Sequence, residues 1–495
     1  MVERQPASDA SLKLFEELVE LRNAVADEGQ ELLEEWRPQL RRRAFLPSAL
    51  NLAYYIALRR RDLRELQEAL MPLGLSSLGR CEARVLQNLD AVIVALAAIA
   101  AVDAPSSIRR PRPSVFYRGN RLLHRHTGAA LGPAPERRQV RIMVTLATPA
   151  ALDYPFLHEL VRRGCDVVRI NCAHDTAAEW AVMATNARRA SVETGRSCRV
   201  LIDLEGPRAR TARVVGRSES GEVHVAVGDL VRLVAGRPEK GSALPQVECS
   251  LPEAVEQLTV GCEVCLDEGR IRLVCERSDE RSALLRVRQV ESKGLIRSQK
   301  GLNFPGLGLR LDPLTPKDLI DLEAIVRLAD IVGYSFVQSA ADMARLQEIL
   351  TRIAPDRQLA IAAKIETALA VRNLPEIIVQ GAGSQPFAVM IARGDLAVEI
   401  GFGRLAEIQE EILWLCEAAH VPVIWATNVL DAFVRKGSHS RAEMTDAAMA
   451  ERADCVMLNK GPHVVEAVGV LDDVLGRMEA HQAKKTSRLR ALHSW

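Results

Sequence analysis

Three observations predict an α/β fold for this chain. Eight short β-branched apolar runs alternate with amphipathic stretches, and eight is the number of parallel strands that closes a TIM (β/α)8 barrel. After the third run the pattern changes to alternating segments rich in turn residues, which predicts an inserted antiparallel β lid domain between strand 3 and helix 3. The first part of the chain carries Leu and Ala at helical spacing and almost no strand signal, so an all-α N-terminal domain precedes the barrel.

The runs are RIMVTL (141–146), DVVRIN (166–171), RVLIDL (199–204), DIVGYSF (330–336), AIAAKIE (360–366), AVMIARGD (388–395), VPVIWAT (421–427) and CVMLNK (455–460). The inserted segments are EVHVAVGDLVRLV, CEVCLDEGRIRLVCE and ALLRVRQVE. The expected division is 1–104 for the helical domain, 105–138 for a connector, 139–212 with 299–480 for the barrel, 213–298 for the lid and 481–495 for a tail. Ser11 is placed as the cap of the first helix, Pro38 and Pro47 interrupt the helical run, and Cys81 to Ala101 forms its last helix. In the connector, from Pro105 to Arg141, nine Arg face one Glu, which reads as a solvated basic linker with His124 and His126 in water, the alternative being a phosphate-binding or partner-binding surface.

Composition excludes several classes. With 65 Lys plus Arg against 64 Asp plus Glu, the net charge of +1 gives no global field for nucleic acid or an anionic membrane. The apolar stretch Ala91 to Val102 is shorter than the roughly 20 residues of a membrane span and reads as a buried helix. Ten scattered Cys form no disulfide framework, and the first residues lack the pattern of a signal peptide, so a reducing cytoplasm is expected. Cys262-x-x-Cys265 lacks a second ligand pair, and GLGLR at Gly306 to Arg310 reads as a turn.

The βα loops of a barrel meet at the C-terminal ends of its strands, and that is where the charged residues of this chain gather. Run two ends in Arg169 and Asn171 with His174 beyond; run three in Asp203, followed by Arg208 and Arg210; run four in Ser335. Run five ends in Lys364 and Glu366, run six in Arg393, Gly394 and Asp395, run seven in Thr427 and Asn428, and run eight in Asn459 and Lys460. Glu366 and Asp395 are hard oxygen donors suited to Mg²⁺ or Mn²⁺. Arg169, Lys364 and Arg210 around such an ion form the combination that clamps a phosphoryl group in transfer. Spacing alone leaves open the alternative that Lys364 and Glu366 only pair with each other.

At these positions the sequence resembles the pyruvate kinase family, from roughly Gln139 to Met478. VVRINCAHD, DLEGPRART, KGLNFPG, AAKIE, MIARGDLAVEI, VIWATNVL and SRAEMTDAAMAERADCVML follow in the family's order. The resemblance implies a Mg²⁺- or Mn²⁺-dependent transfer of phosphoryl from phosphoenolpyruvate to ADP, giving pyruvate and ATP. It implies that Glu366 and Asp395 hold the metal and that Arg169 and Lys364 take the phosphoryl group. The backbone at Gly394 and Asp395, with Thr427, would hold the carboxylate end. Asn171, His174, Arg210 and Lys300 would lie near the nucleotide phosphates, and the lid would close over the site.

Two departures from the family pattern carry expectations. Where the family's K⁺ site has Asn, Ser, Asp and Thr, this chain has Asn171, Ala173, Asp203 and Leu204, and where K⁺-dependent members have Glu it has Arg208. Arg208, with Asn171 and Asp203, is therefore expected to replace K⁺, which would not be required. The eighth strand reads Leu458-Asn459-Lys460-Gly461-Pro462-His463 in place of a longer loop whose Ser helps to protonate the enolate. That change supports a second reading, a regulatory protein that binds the metabolite without turnover; a phosphoenolpyruvate- or pyruvate-dependent aldolase or lyase is a third. The family's usual C-terminal effector domain has no counterpart after the barrel, so any homo-oligomer is expected to form through the N-terminal helices.

Overall fold

The computed structural model describes residues 9–216, 221–239, 241–291, 293–309, 311–484 and 486–488. Arg310, and Lys485 with residues 489–495 of the expected tail, lie outside them. Eight parallel strands close a barrel in sequential order. They are β1 (Arg141–Thr145), β2 (Val167–Asn171), β3 (Arg199–Asp203), β4 (Ile331–Tyr334), β5 (Ala360–Ile365), β6 (Phe387–Ala392), β7 (Val423–Ala426) and β8 (Cys455–Leu458). The sixth predicted run is longer than its strand: Arg393 to Asp395 form the first turn of the helix Arg393–Ile400.

One face of each strand fills the barrel. Met143, Val167, Leu201, Ile331, Ala360, Ala362, Ala388, Met390, Ile424, Ala426, Cys455 and Met457 form the buried interior cluster. Side chains alternate along a strand, so the next positions of the same parity also face inward. These are Arg169 and Asn171 after Val167, Asp203 after Leu201, Gly333 and Ser335 after Ile331, Lys364 and Glu366 after Ala362, and Asn459 after Met457. The strand period alone thus delivers the polar residues to one end of the barrel axis.

The other end is plugged by the segment expected to be a solvated linker. Arg118–Leu131 is a helix whose buried residues include Leu122, Leu123, His126, Thr127, Ala130 and Leu131, and the last two join the interior cluster. Several barrel positions above it are only Ala, so the plug supplies missing volume, and burying it outweighs the local charge pattern. His126 is consequently buried, with its Nδ1 2.8 Å from the His420 carbonyl, while His124 is exposed as expected.

The N-terminal helices Asp9–Trp36, Leu46–Arg59 and Val85–Ile99 share one hydrophobic core with the barrel. Residue 9 is already helical, so Ser11 lies inside the first helix and does not cap it; Pro38 and Pro47 stand at the starts of the next helical segments, as expected. Buried polar contacts pin the junction. Asn51 Nδ2 donates to the carbonyls of Glu82 (2.7 Å) and Ala418 (2.8 Å), and its Oδ1 accepts from the amide of Val85 (2.9 Å).

His420 lies 3.0 Å from the Ala83 carbonyl through Nε2 and 2.9 Å from Ser48 Oγ through Nδ1. A neutral ring satisfies both, one nitrogen donating and the other accepting, and burial pushes the imidazole down to about 4. The unfolded chain therefore binds a proton, below about pH 6.5, that the folded chain refuses down to about 4. This contribution to stability is complete above pH 6.5 and is lost as the pH falls through that window. Between pH 7.5 and 5 the loss is expected to be about 2 kcal/mol in urea unfolding. His420→Gln should lack this component; an identical pH dependence in the variant would contradict the assignment.

The lid is a seven-stranded sheet in the order Leu302–Asn303, Glu263–Leu266, Ile271–Ser278, Ser282–Val290, Leu230–Val234, Gln246–Cys249 and Thr211–Val215. It is antiparallel except for the pairing of Leu230–Val234 with Gln246–Cys249, which is parallel. Its own core includes Val231, Leu233, Val247, Val264, Leu273 and Leu285. Cys265 is buried and Cys262 half-buried, with no cluster of metal-ligating residues among the described residues. No helix among the described residues is long and apolar enough to cross a membrane.

Candidate active site

The C-terminal mouth of the barrel opens into a cavity of about 620 Å³. Arg169, Asn171, Arg208, Arg210, Lys364, Glu366, Asp395, Thr427 and Asn459 line it, together with Ala173, Leu204 and Ser335. The buried carboxylate of Asp203 underlies this group. It accepts from Arg169 Nε at 2.7 Å and lies 3.6 Å from Lys364 Nζ. Burial alone would raise its pKa, but Arg169 and then Lys364 outweigh it and hold the carboxyl below its ordinary value.

Lys364 is the hub. Its Nζ donates to Ser335 Oγ at 2.7 Å and lies 3.1 Å from Glu366 Oε1. Burial would lower its pKa, yet the charges of Asp203 and Glu366 raise it, so the ammonium stays charged in a buried setting. The pairing of Lys364 with Glu366 that spacing left open does occur, and it occurs inside the cavity. Glu366 also accepts the amide of Phe336 at 2.6 Å; burial, reinforced by the charge of Asp395, raises its carboxyl despite Lys364.

Asp395 approaches from the helix after β6. Its Oδ1 accepts from Arg208 Nη2 at 2.9 Å and from Asn303 Nδ2 at 3.4 Å. Arg208 lies in the segment that enters the lid and Asn303 in the strand Leu302–Asn303 that leaves it, and these two connections meet at the hinge through the Arg210–Gly301 bridge. Arg208 was expected beside Asn171 and Asp203. It reaches Asp395 instead, because Arg169 and Lys364 already occupy Asp203, while Asn171 Oδ1 accepts the amide of Ala173 at 3.0 Å. Two converging carboxylates with cations and substrate space around them fit a divalent ion of the Mg²⁺ type, which keeps several positions for water and substrate oxygens.

Thr427 stands at φ 67°, followed by Asn428 at φ 59°, so the loop after β7 is held in left-handed conformations. Its Oγ1 accepts the amide of Gly394 at 2.9 Å, tying this loop to the helix that bears Asp395. Arg393 enforces the arrangement: it donates to the carbonyls of Ala426 (2.9 Å) and Thr427 (2.6 Å), pairs with Asp446 and lies 4.6 Å from the Trp425 ring centroid. Sequence reading noted Arg393 only as a strand ending and missed Asp446 altogether. Its signal was the SRAEMTDAAM motif, whose role depends on a contact fifty-three residues away in sequence.

The remaining expected residues divide. His174 lines an adjoining cavity with Arg169, Asn171, Arg435, Asn459 and Lys460, and burial followed by the charge of Lys460 lowers its imidazole. Arg210 lines the central cavity and lies 3.7 Å from Glu205. Lys300 is not brought into either cavity; its Nζ pairs with Asp267 of the lid at 3.0 Å.

Comparison with known proteins agrees with this architecture. The family described as pyruvate kinase, barrel domain, matches residues 137–467. The pyruvate kinase of Agrobacterium vitis is 33% identical over 353 residues, covering 70% of this chain and 69% of its own. That of Mycobacterium tuberculosis is 32% identical over 349 residues, covering 69% of this chain and 70% of its own. That of Geobacillus stearothermophilus is 32% identical over 355 residues, covering 69% of this chain, and the match spans only 57% of its length. The matched region holds the barrel, the inserted lid and the lysine–carboxylate centre, and the chain belongs to the pyruvate kinase family.

Proposed function

We propose that the protein transfers the phosphoryl group of phosphoenolpyruvate to ADP, giving pyruvate and ATP, in the cytoplasm, without nucleic-acid or membrane partners. The observation that carries this reading is the buried, charged Lys364 held between Asp203, Ser335 and Glu366 at the cavity floor. A fixed cation there neutralises charge on the phosphoryl group and on the developing enolate without reorganising. Glu366 and Asp395 would hold Mg²⁺ or Mn²⁺, which supplies charge neutralisation to the transferring group. Arg169 binds phosphoryl oxygens; the amides at Gly394 and Asp395, with Thr427, bind the carboxylate end. Asn171, His174 and Arg210 face the nucleotide phosphates, and Lys300 would join them when the lid closes and excludes water. The N-terminal helices remain the proposed surface for any homo-oligomer.

K⁺ is not required in this reading, because Arg208 brings a guanidinium to the carboxylate group from the hinge. Pyruvate formation from phosphoenolpyruvate and ADP with Mg²⁺ is expected at equal rates with and without K⁺. Arg208→Glu combined with Leu204→Thr should make the rate K⁺-dependent; a variant indifferent to K⁺ would contradict the role of Arg208.

A second reading, metabolite binding without turnover, is favoured by Asn459, which lines the cavity with Thr427 and is a poor proton carrier. It predicts Mg²⁺-dependent stabilisation by phosphoenolpyruvate with no pyruvate formed. The family match and the inserted lid leave the aldolase or lyase reading without support.

A further inference from the structure

A second built cavity lies far along the chain from this site, where the N-terminal helices meet the barrel. It is a groove open to solvent, with about 1310 Å³ of space within it. The helix Leu46–Arg59 ends there, and the sequence Arg59-Arg60-Arg61-Asp62-Leu63-Arg64 turns the chain into the helix Arg64–Leu70. Four guanidinium groups therefore belong to its lining.

Internal pairing uses only part of this charge. Arg61 is bonded to Glu28 and to the Ala57 carbonyl, and Arg64 to Asp62. Arg60 lies 3.8 Å from the Glu28 carboxylate that Arg61 already holds, and its side chain is 55% exposed. Arg59 has no carboxylate partner among the described residues. It is positioned instead by the hydroxyl of Tyr55 (3.1 Å) and by the rings of Trp414 (5.0 Å) and Tyr55 (5.7 Å). An arginine held by ring faces keeps its fork of N–H donors pre-oriented, so little entropy remains to be lost when an anion arrives. Leu58, Leu63 and Leu78 line the same groove, Leu58 and Leu78 buried and Leu63 partly exposed. The lining carboxylates are Asp62, taken by Arg64, and the buried Glu82, whose charge acts on the Tyr55 hydroxyl together with that of Arg59 and offsets part of the groove's positive charge.

We propose that this groove binds a phosphate monoester of a small organic molecule, with Arg59 and Arg60 taking the phosphate and the partly exposed Leu63 and Trp414 taking the organic part. Two adjacent guanidinium groups suit a dianion, which a phosphate monoester is near neutral pH. The site also has a route to the catalytic centre. Trp414 lies on the helix Phe402–Ala418, which Gly401 joins to the helix Arg393–Ile400 that carries Asp395.

The test is isothermal titration of the full chain with phenyl phosphate at constant ionic strength set with NaCl. Saturable binding is expected. Arg59→Gln with Arg60→Gln should weaken it at least about tenfold, the scale of one charge-assisted hydrogen bond. Arg60→Glu alone, at a side chain 55% exposed, should weaken it in the same direction. Lys364→Met, which alters the central cavity, should leave it unchanged. Binding that disappears in Lys364→Met and survives Arg59→Gln with Arg60→Gln would place the anion in the catalytic cavity and overturn the proposal. So would the absence of saturable binding in the wild-type chain. Neither result would bear on pyruvate formation, which is measured separately.

Discussion

Lys364→Met is expected to reduce pyruvate formation by about a thousandfold, the upper range for removing one preorganised electrostatic partner of a transition state. The side chain has nearly the same volume, so packing around β5 should survive. What is lost is the charge. The Nζ group faces Ser335 at 2.7 Å, Glu366 at 3.1 Å and Asp203 at 3.6 Å, bridging all three. Its partners are 3% and 1% exposed, so the methionine variant leaves two desolvated carboxylates that repel each other. Asp203 retains Arg169, whereas Glu366 retains only the Phe336 amide. Two signatures follow. The maximal rate should fall far more than the half-saturation for phosphoenolpyruvate rises, because the cation matters most once charge develops. Mg²⁺ should also raise the melting temperature of the variant more than that of the wild type, since an added cation relieves the Glu366 carboxylate that lost its ammonium partner. A variant with wild-type turnover would remove Lys364 from the reaction altogether.

The strand period explains why so much of this centre was legible in sequence. Once Ala360 and Ala362 face the barrel axis, Lys364 and Glu366 must follow, and the same parity carries Val167 to Arg169 and Leu201 to Asp203. What was not legible depends on contacts between distant segments. Arg208 was expected beside Asp203, but which carboxylate it meets is decided by the competition from Arg169 and Lys364 and by the hinge geometry. The clamp of Arg393 on Asp446 joins two helices whose separate patterns show nothing of it. The basic segment read as a linker because charge was weighed above spacing. Leu122, Leu123, His126, Thr127, Ala130 and Leu131 recur at helical intervals, and that apolar stripe, not the arginines, determined where the helix Arg118–Leu131 went.

Gly333→Ala is expected to damage both stability and activity. Gly333 pairs with Asp203 across β4 and β3, and both residues face the barrel interior. A Cβ at position 333 would lie 1.8 Å from Asp203 Oδ1, 2.9 Å from its Cγ and 3.2 Å from its Cα. A flexible side chain could swing away, but this carboxylate is fully buried and fixed from its other oxygen by Arg169. Moving it breaks that pair and loosens Lys364, so the strain spreads into the catalytic group. Overpacking of this kind costs about 1–3 kcal/mol, measured as a lower urea midpoint with an unchanged slope. Displacing Asp203 and the cations it orients by about 1 Å should further reduce turnover about a hundredfold in the fraction that remains folded. Gly403→Ala is the control: it is a helical position where an added Cβ meets nothing within 4 Å, and it should match the wild type in both assays. If Gly333→Ala also matched the wild type, Asp203 would have room to move, and the fixed carboxylate could not be what positions Arg169 and Lys364.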